Sequence, residues 1–452
     1  MTAAVQVPEP HELPPRVRSD VVLGAGLRRG DSTVHFVKDP RTGWFYQLGA
    51  REFFLLSRLD GRQSRAQVEA AYADRFGRRL SAAHWSALLE MLDRRRLLVD
   101  EHADLPPADG SGVAAGDGTA GRHPGGADTA RPGAGAGSAG DDAGLAALRL
   151  RADRQRRAGR RKLWYARFPL VNPDRFLAWL APRAGVLYSP WFVVPALLAA
   201  AAALVVAVGD AGQLYAASRM NIGHPLAVVS FVTTWLVIAA HEVAHGLTCR
   251  RFGGAATELG VLWRFPLLTP YCKTDDVVLF ARRRHRVYTA FAGVFVNLVA
   301  LVPFALGWLL IPAGGHAHAL AGSLLFYGTL TVLLNLLPVL RLDGYFMLNH
   351  ATGMLDLRRD TWRFWGAVLT RRGVGAFRPA DRVTHALYGF AVAAVGATLL
   401  AAMVSLWYLN LSRWLNGPAA VAILAAEAVA VVLLVRQLFR RRARRAAAEP
   451  AR

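Results

Sequence analysis

Cysteine and acidic residues are scarce in this sequence. Cys249 and Cys272 are the two cysteines among 452 residues, which excludes the disulfide framework of a small secreted domain. Asp and Glu number 32 against 54 Lys and Arg, so the formal net charge is +22. Residues 1–20 contain no long apolar run, and we expect no cleavable signal peptide. In a soluble protein, this excess of positive charge would favour a nucleic-acid partner. The mean hydropathy is positive, however, at +0.24, which is unusual for such a protein.

Long apolar runs fill much of the C-terminal part of the chain. They cover six stretches, 187–208, 225–248, 287–310, 320–340, 386–409 and 418–435. At ~1.5 Å per residue in a helix, each is long enough to cross the ~30 Å hydrocarbon core of a bilayer. Backbone buried in lipid must satisfy its own hydrogen bonds, so these runs predict helices. The fold class that follows is a polytopic α-helical membrane protein with about six transmembrane helices.

Lys and Arg alternate in density from one connection to the next. The connections after the first, third and fifth runs contain only Arg219 and Arg413, whereas the other connections and both flanks are rich in Arg. By the positive-inside rule, both termini are expected in the cytoplasm of a cell-membrane protein. We expect the basic flanks to contact anionic lipid. The Arg clusters carry no nucleic-acid-binding motif with interleaved aromatic residues, so no nucleic-acid partner is expected.

The part before the apolar runs predicts a small α+β module at 31–101. Two β-rich runs, 33–37 and 44–47, flank the turn residues Asp39, Pro40 and Gly43, and three helix-like segments follow at 50–59, 64–76 and 81–95, with a short return strand at 97–99. A hairpin with three helices is typical of a winged-helix-like module. Because the N-terminus is expected in the cytoplasm, we expect this module there. Such a module binds DNA or an extended peptide, and the periodicity does not choose between them.

The rest of the chain divides by composition. Residues 102–144 are rich in Gly, Ala and Pro and predict a flexible linker. A basic juxtamembrane segment at 145–186 precedes the membrane domain at 187–437, and a basic cytoplasmic tail follows at 438–452.

The second apolar run ends in a metal-binding pattern, HEVAH. His241 and His245 are four residues apart and therefore lie on one face of a helix, where two imidazoles can hold one Zn²⁺. Glu242 is placed to act as a general base toward a water molecule. Ionisable residues inside an apolar span are costly, which favours a functional role.

The end of the fourth run supplies a candidate third ligand, Asp343. It follows Pro338 and precedes Gly344. In the predicted topology the second and fourth runs cross the membrane in the same direction, so Asp343 and the His pair are expected at one depth. We therefore predict Asp343 as the third protein ligand of a Zn²⁺ near the cytoplasmic end of the hydrocarbon.

Three further features have alternative interpretations. The amides of Asn335 and Asn297 can stabilise a developing oxyanion or position substrate, or serve only in capping and packing. Cys249 lies four residues after His245, but a passive packing role is expected. The segment at 253–280 is either a re-entrant hairpin that offers a strand edge to an extended substrate or an interfacial loop.

These motifs resemble those of the site-2 protease family of membrane-embedded zinc metalloproteases. HEVAH in a membrane span is followed by Asn335, Pro338, Asp343 and Gly344 in the family's pattern NxxPxxxxDG. The residues at 292–297 are similar to the family's AGPxxN, with valine where proline is usual. The resemblance implies that both histidines and the aspartate bind zinc and that the glutamate activates water.

A closer similarity is to the bacterial peptide zinc metalloprotease branch, which is linked to ribosomally made, modified peptides. It is carried by residues 167–176, residues 270–276 and the N-terminal module. The module is similar to PqqD-like domains, and this implies that it holds a precursor leader peptide.

The sequence therefore predicts a membrane-embedded zinc metalloendopeptidase that processes a ribosomally synthesised peptide precursor or leader, or another membrane-associated peptide. One alternative is a peptide-binding scaffold or exporter component with a non-catalytic zinc site. Another is a DNA-binding module that is released by self-cleavage near 103–144.

Overall fold

In the computed structural model, residues 14–99, 165–264, 267–371 and 373–448 are described. The predicted linker at 102–144 and the first part of the juxtamembrane segment lie outside the described residues. The chain divides into two compact units, Met1–Leu27 with Ser32–Leu336, and Arg28–Asp31 with Leu337–Arg452. Helices predominate in both.

The N-terminal part of the chain forms short strands: β1 (Val22–Leu23), β2 (Leu27–Arg29), β3 (Ser32–Asp39) and β4 (Trp44–Gly49). Strand β3 pairs antiparallel with β1 and with β4. The β3–β4 turn closes through Gly43, whose φ is +69° and whose N–H donates to the Asp39 carbonyl at 2.8 Å. The predicted hairpin is therefore present. The sheet also starts before residue 31, and the expected strand at 97–99 is only a bridge between Leu98 and Val17.

Three helices complete this N-terminal module, at α1 (Ala50–Leu56), α2 (Arg65–Phe76) and α3 (Ala82–Arg94). Ser64 and Ser81 cap α2 and α3, as their position before each apolar pattern predicts. The helices cover the sheet with a core of large side chains, among them Leu55, Leu59, Val68, Trp85 and Leu92. These elements agree with the predicted α+β module.

A second, three-stranded antiparallel sheet lies next to the apolar helices. Strand β5 (Tyr165–Val171) comes from the juxtamembrane segment, and β6 (Glu258–Arg264) and β7 (Leu267–Lys273) form the hairpin. The strand order is β5-β6-β7, so β7 is an edge strand. Helix α4 (Asp174–Arg183) follows β5 and packs on an apolar helix of the same unit. Strands β6 and β7 pair antiparallel within residues 253–280, and entry of this segment into a membrane stays a prediction.

The apolar helices of the first unit are α5 (Pro190–Gly209), α6 (Ala211–Met220), α7 (Leu226–Arg251), α8 (Arg283–Leu310) and α9 (His316–Leu336). All except α6 are long and apolar enough to cross a membrane. Helix α8 packs against α5, α7 and α9. Small residues at the contacts, such as Ala203, Ala207 and Gly322, let the helices approach closely. The central position of α8 brings its residues next to the HEVAH pattern on α7.

The second unit contains α10 (Asp343–Thr352), α11 (Leu357–Thr370), α12 (Pro379–Leu411) and α13 (Gly417–Ala448). Helix α12 is a fifth helix long enough to span a membrane. Arg28 belongs to this unit, where its backbone pairs with Gly353 and Leu355 and its guanidinium bonds to Asp381. The backbone N–H of Gly30 donates to Asp360 at 2.8 Å.

Five of the six predicted membrane runs coincide with helices that meet the requirements of length and hydropathy among the described residues. The sixth predicted run, 418–435, lies within the continuous helix α13, which contains the apolar stretch Gly417–Ala430. A sixth span at this position stays a prediction. Glu427 interrupts this stretch and accepts a hydrogen bond from the indole of Trp407 at 3.1 Å.

Candidate metal centre

The two histidines of HEVAH converge on one point. His241 and His245 are buried on the same face of α7, and their Nε2 atoms lie 3.1 Å apart. Their rings are nearly perpendicular, at 84°. Two nitrogen ligands at ~2.0–2.1 Å from a tetrahedral Zn²⁺ are about 3.3 Å apart, so the observed spacing suits a shared metal ion.

The backbone of α8 fixes the tautomer of one imidazole. Nδ1 of His245 lies 2.7 Å from the carbonyl oxygen of Thr289. A carbonyl only accepts hydrogen bonds, so Nδ1 carries the proton and donates it, which leaves Nε2 as the metal-binding nitrogen. Thr289 is itself held, because its hydroxyl donates to the His285 carbonyl at 2.8 Å.

Gly293 of α8 forms the wall that faces the two imidazoles. A Cβ atom at this position would lie 2.5 Å from Nε2 of His241 and 2.5 Å from Nε2 of His245. Any side chain would therefore occupy the space in front of both nitrogens. The cradle at Gly293, together with two convergent imidazoles, fits a zinc ion in size and in donor chemistry.

Glu242 is positioned by the edge strand β7. The backbone N–H of Cys272 donates to Oε2 of Glu242 at 2.8 Å. This bond holds the half-buried carboxylate beside the His pair and shows that one edge of β7 faces α7. A carboxylate fixed next to a metal-binding pair can take a proton from water and return it to a leaving amine.

Asp343 is the first residue of α10 in the second unit and is half-buried. Its negative charge at the N-terminus of α10 is favourable, because the first backbone N–H groups of a helix point toward it. Its assignment as the third zinc ligand remains a prediction from the sequence.

The two candidate amides differ in their surroundings. Asn297 lies one turn beyond Gly293 on α8 and is 3% exposed. Asn335 is half-buried in the last turn of α9. Of the two, the structure places Asn297 on the stretch of α8 that faces the His pair.

Neither cysteine thiol replaces a ligand of the His pair. Cys249 packs with Val277 and Phe280, and its sulfur lies 3.8 Å from the Ala255 carbonyl oxygen. Burial, with a smaller effect of the nearby Glu242, raises the pKa of the Cys272 thiol to about 12. Cys272 is therefore protonated at neutral pH and acts here through its backbone N–H.

Three contacts of the site were absent from the sequence-based prediction: the Thr289 carbonyl, the Gly293 cradle and the Cys272 N–H. Two of them are backbone groups, which carry no residue-specific signal. Gly293 did have one, since it stands within the AGVxxN pattern of α8, but the pattern does not say what the glycine faces.

Comparisons of the chain with protein-family models, with curated proteins and with solved structures find no match. The family resemblance described for the sequence therefore rests on its motifs alone.

Proposed function

We propose that the protein is a membrane-embedded zinc metalloendopeptidase that cleaves a peptide bond near the cytoplasmic face of the cell membrane. The observation that carries this proposal is the convergence of His241 and His245 beside Glu242, with Nε2 atoms 3.1 Å apart in front of Gly293. Two imidazoles and an adjacent carboxylate at the end of an apolar helix suit hydrolysis and have no evident packing purpose.

His241, His245 and Asp343 would hold the Zn²⁺. When bound, the ion would supply a Lewis acid that polarises the scissile carbonyl and promotes ionisation of water. The His245 ring is fixed for this by the Thr289 carbonyl. Helix α9 packs on both α7 and α8. Asp343 follows the last residue of α9 by seven positions, so only a short connection separates it in the chain from this helix.

Glu242 would be the catalytic base and then the proton donor. The Cys272 N–H fixes Oε2 and so limits rotation of the carboxylate. A base held in one orientation loses little entropy when it takes the proton. The same contact links the catalytic residue to β7.

Strand β7 is a suitable guide for the substrate. It is an edge strand, and the edge that donates to Glu242 faces α7. An extended peptide can pair with such an edge and present its carbonyl groups, which a helix would hide. Pro270 lacks an N–H, so the carbonyl acceptors of β7 would contribute more to this pairing than its donors.

The remaining sequence-based predictions complete the proposal. Both termini would lie in the cytoplasm, with the basic flanks at anionic lipid. The N-terminal module would hold the leader of a ribosomally made peptide and raise the local concentration of the substrate.

The test combines zinc analysis with peptide cleavage by the full chain in detergent. Glu242→Gln should keep its zinc and lose at least about 100-fold in rate, because general base catalysis typically contributes ~10²–10⁴-fold. Glu90→Gln, a change at an exposed glutamate of α3, is the matched control and should leave the rate unchanged. Cleavage by Glu242→Gln at the wild-type rate would refute the mechanism.

A second measurement separates the enzyme from the scaffold alternative. His241→Ala and Asp343→Ala should each lower the zinc content, while His84→Ala, in the N-terminal module, should not. Zinc bound by the wild-type protein in the complete absence of cleavage would favour the non-catalytic scaffold. Full retention of zinc in Asp343→Ala would remove Asp343 from the ligand set.

A further inference from the structure

A small cavity lies among α7, α8 and α9 of the first unit. Its volume is about 20 Å³, and its walls include Thr234 and Ile238 of α7, Asn297 of α8, and Gly328 and Thr331 of α9. A volume of this size accepts one water-sized group. The rest of the lining is apolar.

Asn297 is the unusual residue of this cavity. Its side chain is buried, with the residue only 3% exposed. Neither its Oδ1 nor its Nδ2 has a hydrogen-bond partner in the part of the chain that the structure describes. A buried polar atom without a partner typically costs ~1–3 kcal/mol. An amide that offers both a donor and an acceptor complements a group that does the same, and a hydroxyl is the smallest side-chain group of that kind.

The cavity lies close to the His pair. Ile238 precedes His241 by three residues on α7, and Asn297 follows Gly293 by four residues on α8. Each interval is about one helical turn, or ~5–6 Å along the axis. That distance matches the reach of a side chain next to a peptide bond held at the imidazoles.

The outer walls leave the cavity accessible from one side. Thr234, Ile238 and Thr331 are half-buried, whereas Asn297 is 3% exposed. The remaining lining residues are apolar, namely Val237, Ala300, Phe304 and Leu324. A peptide lying against these residues can extend a short side chain inward.

We propose that this cavity is a substrate subsite for one small side chain adjacent to the cleaved bond, and that serine fits it best. The serine hydroxyl donates to Oδ1 of Asn297 and accepts from Nδ2. Alanine fits but leaves the amide unpaired, and leucine is too large for about 20 Å³. The inference rests on the proposed peptidase function and specifies its substrate.

The experiment uses a pool of synthetic peptides, each a single apolar span between lysines, with serine, alanine, leucine or phenylalanine at five central positions. The full chain in detergent cleaves the pool, and mass spectrometry maps the products. Serine at one position beside the cleaved bond should be favoured over alanine by roughly two- to tenfold, as a net hydrogen bond predicts. Leucine there should be disfavoured by roughly 5- to 150-fold.

Asn297→Leu keeps the branching of the side chain and removes the hydrogen bonds. This variant should lose the preference for serine over alanine, measured as the ratio of the two cleavage rates within the same protein. Asn410→Leu, at an exposed asparagine of α12, is the matched control and should keep the preference. An unchanged ratio of serine to alanine in Asn297→Leu, or acceptance of leucine by the wild type, would overturn the subsite.

Binding to Glu242→Gln separates this inference from the proposed function. If the wild type cleaves none of the peptides, the peptidase proposal fails, and the affinities of Glu242→Gln for serine and leucine peptides still test the cavity. Tighter binding of the serine peptide that disappears on adding Asn297→Leu supports the subsite. Equal affinities for both peptides refute it.

Discussion

The N-terminal module and the apolar helices of the first unit are built in opposite ways. In the module, large side chains such as Leu55, Trp85 and Leu92 are buried. In helices α5 to α9, alanine is frequent at the buried contacts, while many large apolar side chains, for example Leu198 and Phe231, point outward. The module thus hides its apolar surface, and the helices expose theirs.

The difference matches two different surroundings, water for the N-terminal module and lipid for the apolar helices. In water, burial of apolar area drives folding, and the largest side chains contribute most. Lipid solvates leucine as well as another leucine does, so helices in lipid associate through close packing of small residues and through polar contacts. The two regions meet at Lys38 of β3, whose Nζ lies 2.6 Å and 2.7 Å from the carboxylate oxygens of Asp276.

The largest loss of stability is expected from breaking the ion pair between Lys38 and Asp276. Lys38 and Asp276 are only 13% and 10% exposed in their side chains, so Lys38→Met would leave a buried carboxylate without its cation. Loss of one partner of a buried pair costs ~3–5 kcal/mol. Lys273→Met, at a more exposed pair with Asp275, should cost below ~1 kcal/mol. Thermal unfolding in detergent and hydrogen exchange of β3 measure both, and equal effects would mean that the junction pair is not buried.

The next prediction compares the loss of stability that a leucine-to-alanine substitution causes in each of the two regions. Leu92→Ala removes a side chain that is 0% exposed in the module and should cost ~2–5 kcal/mol. Leu198→Ala, on α5 at 67% exposure, should change stability in detergent by less than ~0.5 kcal/mol. If the two substitutions destabilise the protein equally, the contrast between the regions is wrong.

A smaller effect is expected from filling a helix contact. A Cβ atom at Gly322 of α9 would lie 2.6 Å from the Trp308 ring. Gly322→Leu should therefore destabilise the bundle by ~1–3 kcal/mol through overpacking. At Gly212 of α6 nothing lies within 4 Å of that position, so Gly212→Leu is the control. A stable Gly322→Leu protein would show that α8 and α9 can separate without cost.

The smallest predicted effect is a loss of stability of the N-terminal module at acid pH. A hydrogen bond from Arg18 lowers the pKa of Asp20 below its ordinary value. A carboxyl with a lowered folded-state pKa stabilises the fold above about pH 4 and loses that contribution as the pH falls through the folded-state value. The loss should stay below ~1 kcal/mol because Asp20 is 36% exposed in its side chain. Asp20→Asn should reduce the loss of stability between pH 5 and 2, measured by denaturant unfolding at each pH; an unchanged loss would show that Asp20 does not contribute.

Local signals in the sequence predict much of the fold. Ser64 and Ser81 mark the starts of α2 and α3 because an N-cap hydroxyl satisfies a helix N–H within three residues. The β3–β4 hairpin follows from its turn residues in the same way. The sixth membrane helix was predicted from hydropathy alone; its run lies within the helix α13, and its crossing of a membrane stays a prediction.

The candidate site was predictable only where its residues are close in the chain. His241 and His245 share one helix face and Glu242 is adjacent in the chain, so their spacing alone indicates a common site. Their contacts with Thr289, Gly293 and Cys272 join residues about 30 to 50 positions apart. No local pattern encodes such a pairing.

By itself, the sequence determined which segments are apolar enough for a membrane, where the helices of the module begin, and that α7 carries two histidines on one face with a glutamate beside them. These features depend on residues a few positions apart. Only the tertiary structure decided that Gly293 opens the space before the imidazoles, that β7 holds Glu242, and that Lys38 meets Asp276. It also decided that the buried Asn297 amide lies beside a cavity with no hydrogen-bond partner among the described residues. Each of these depends on the packing of distant segments, which is fixed by the shape of whole helices and sheets.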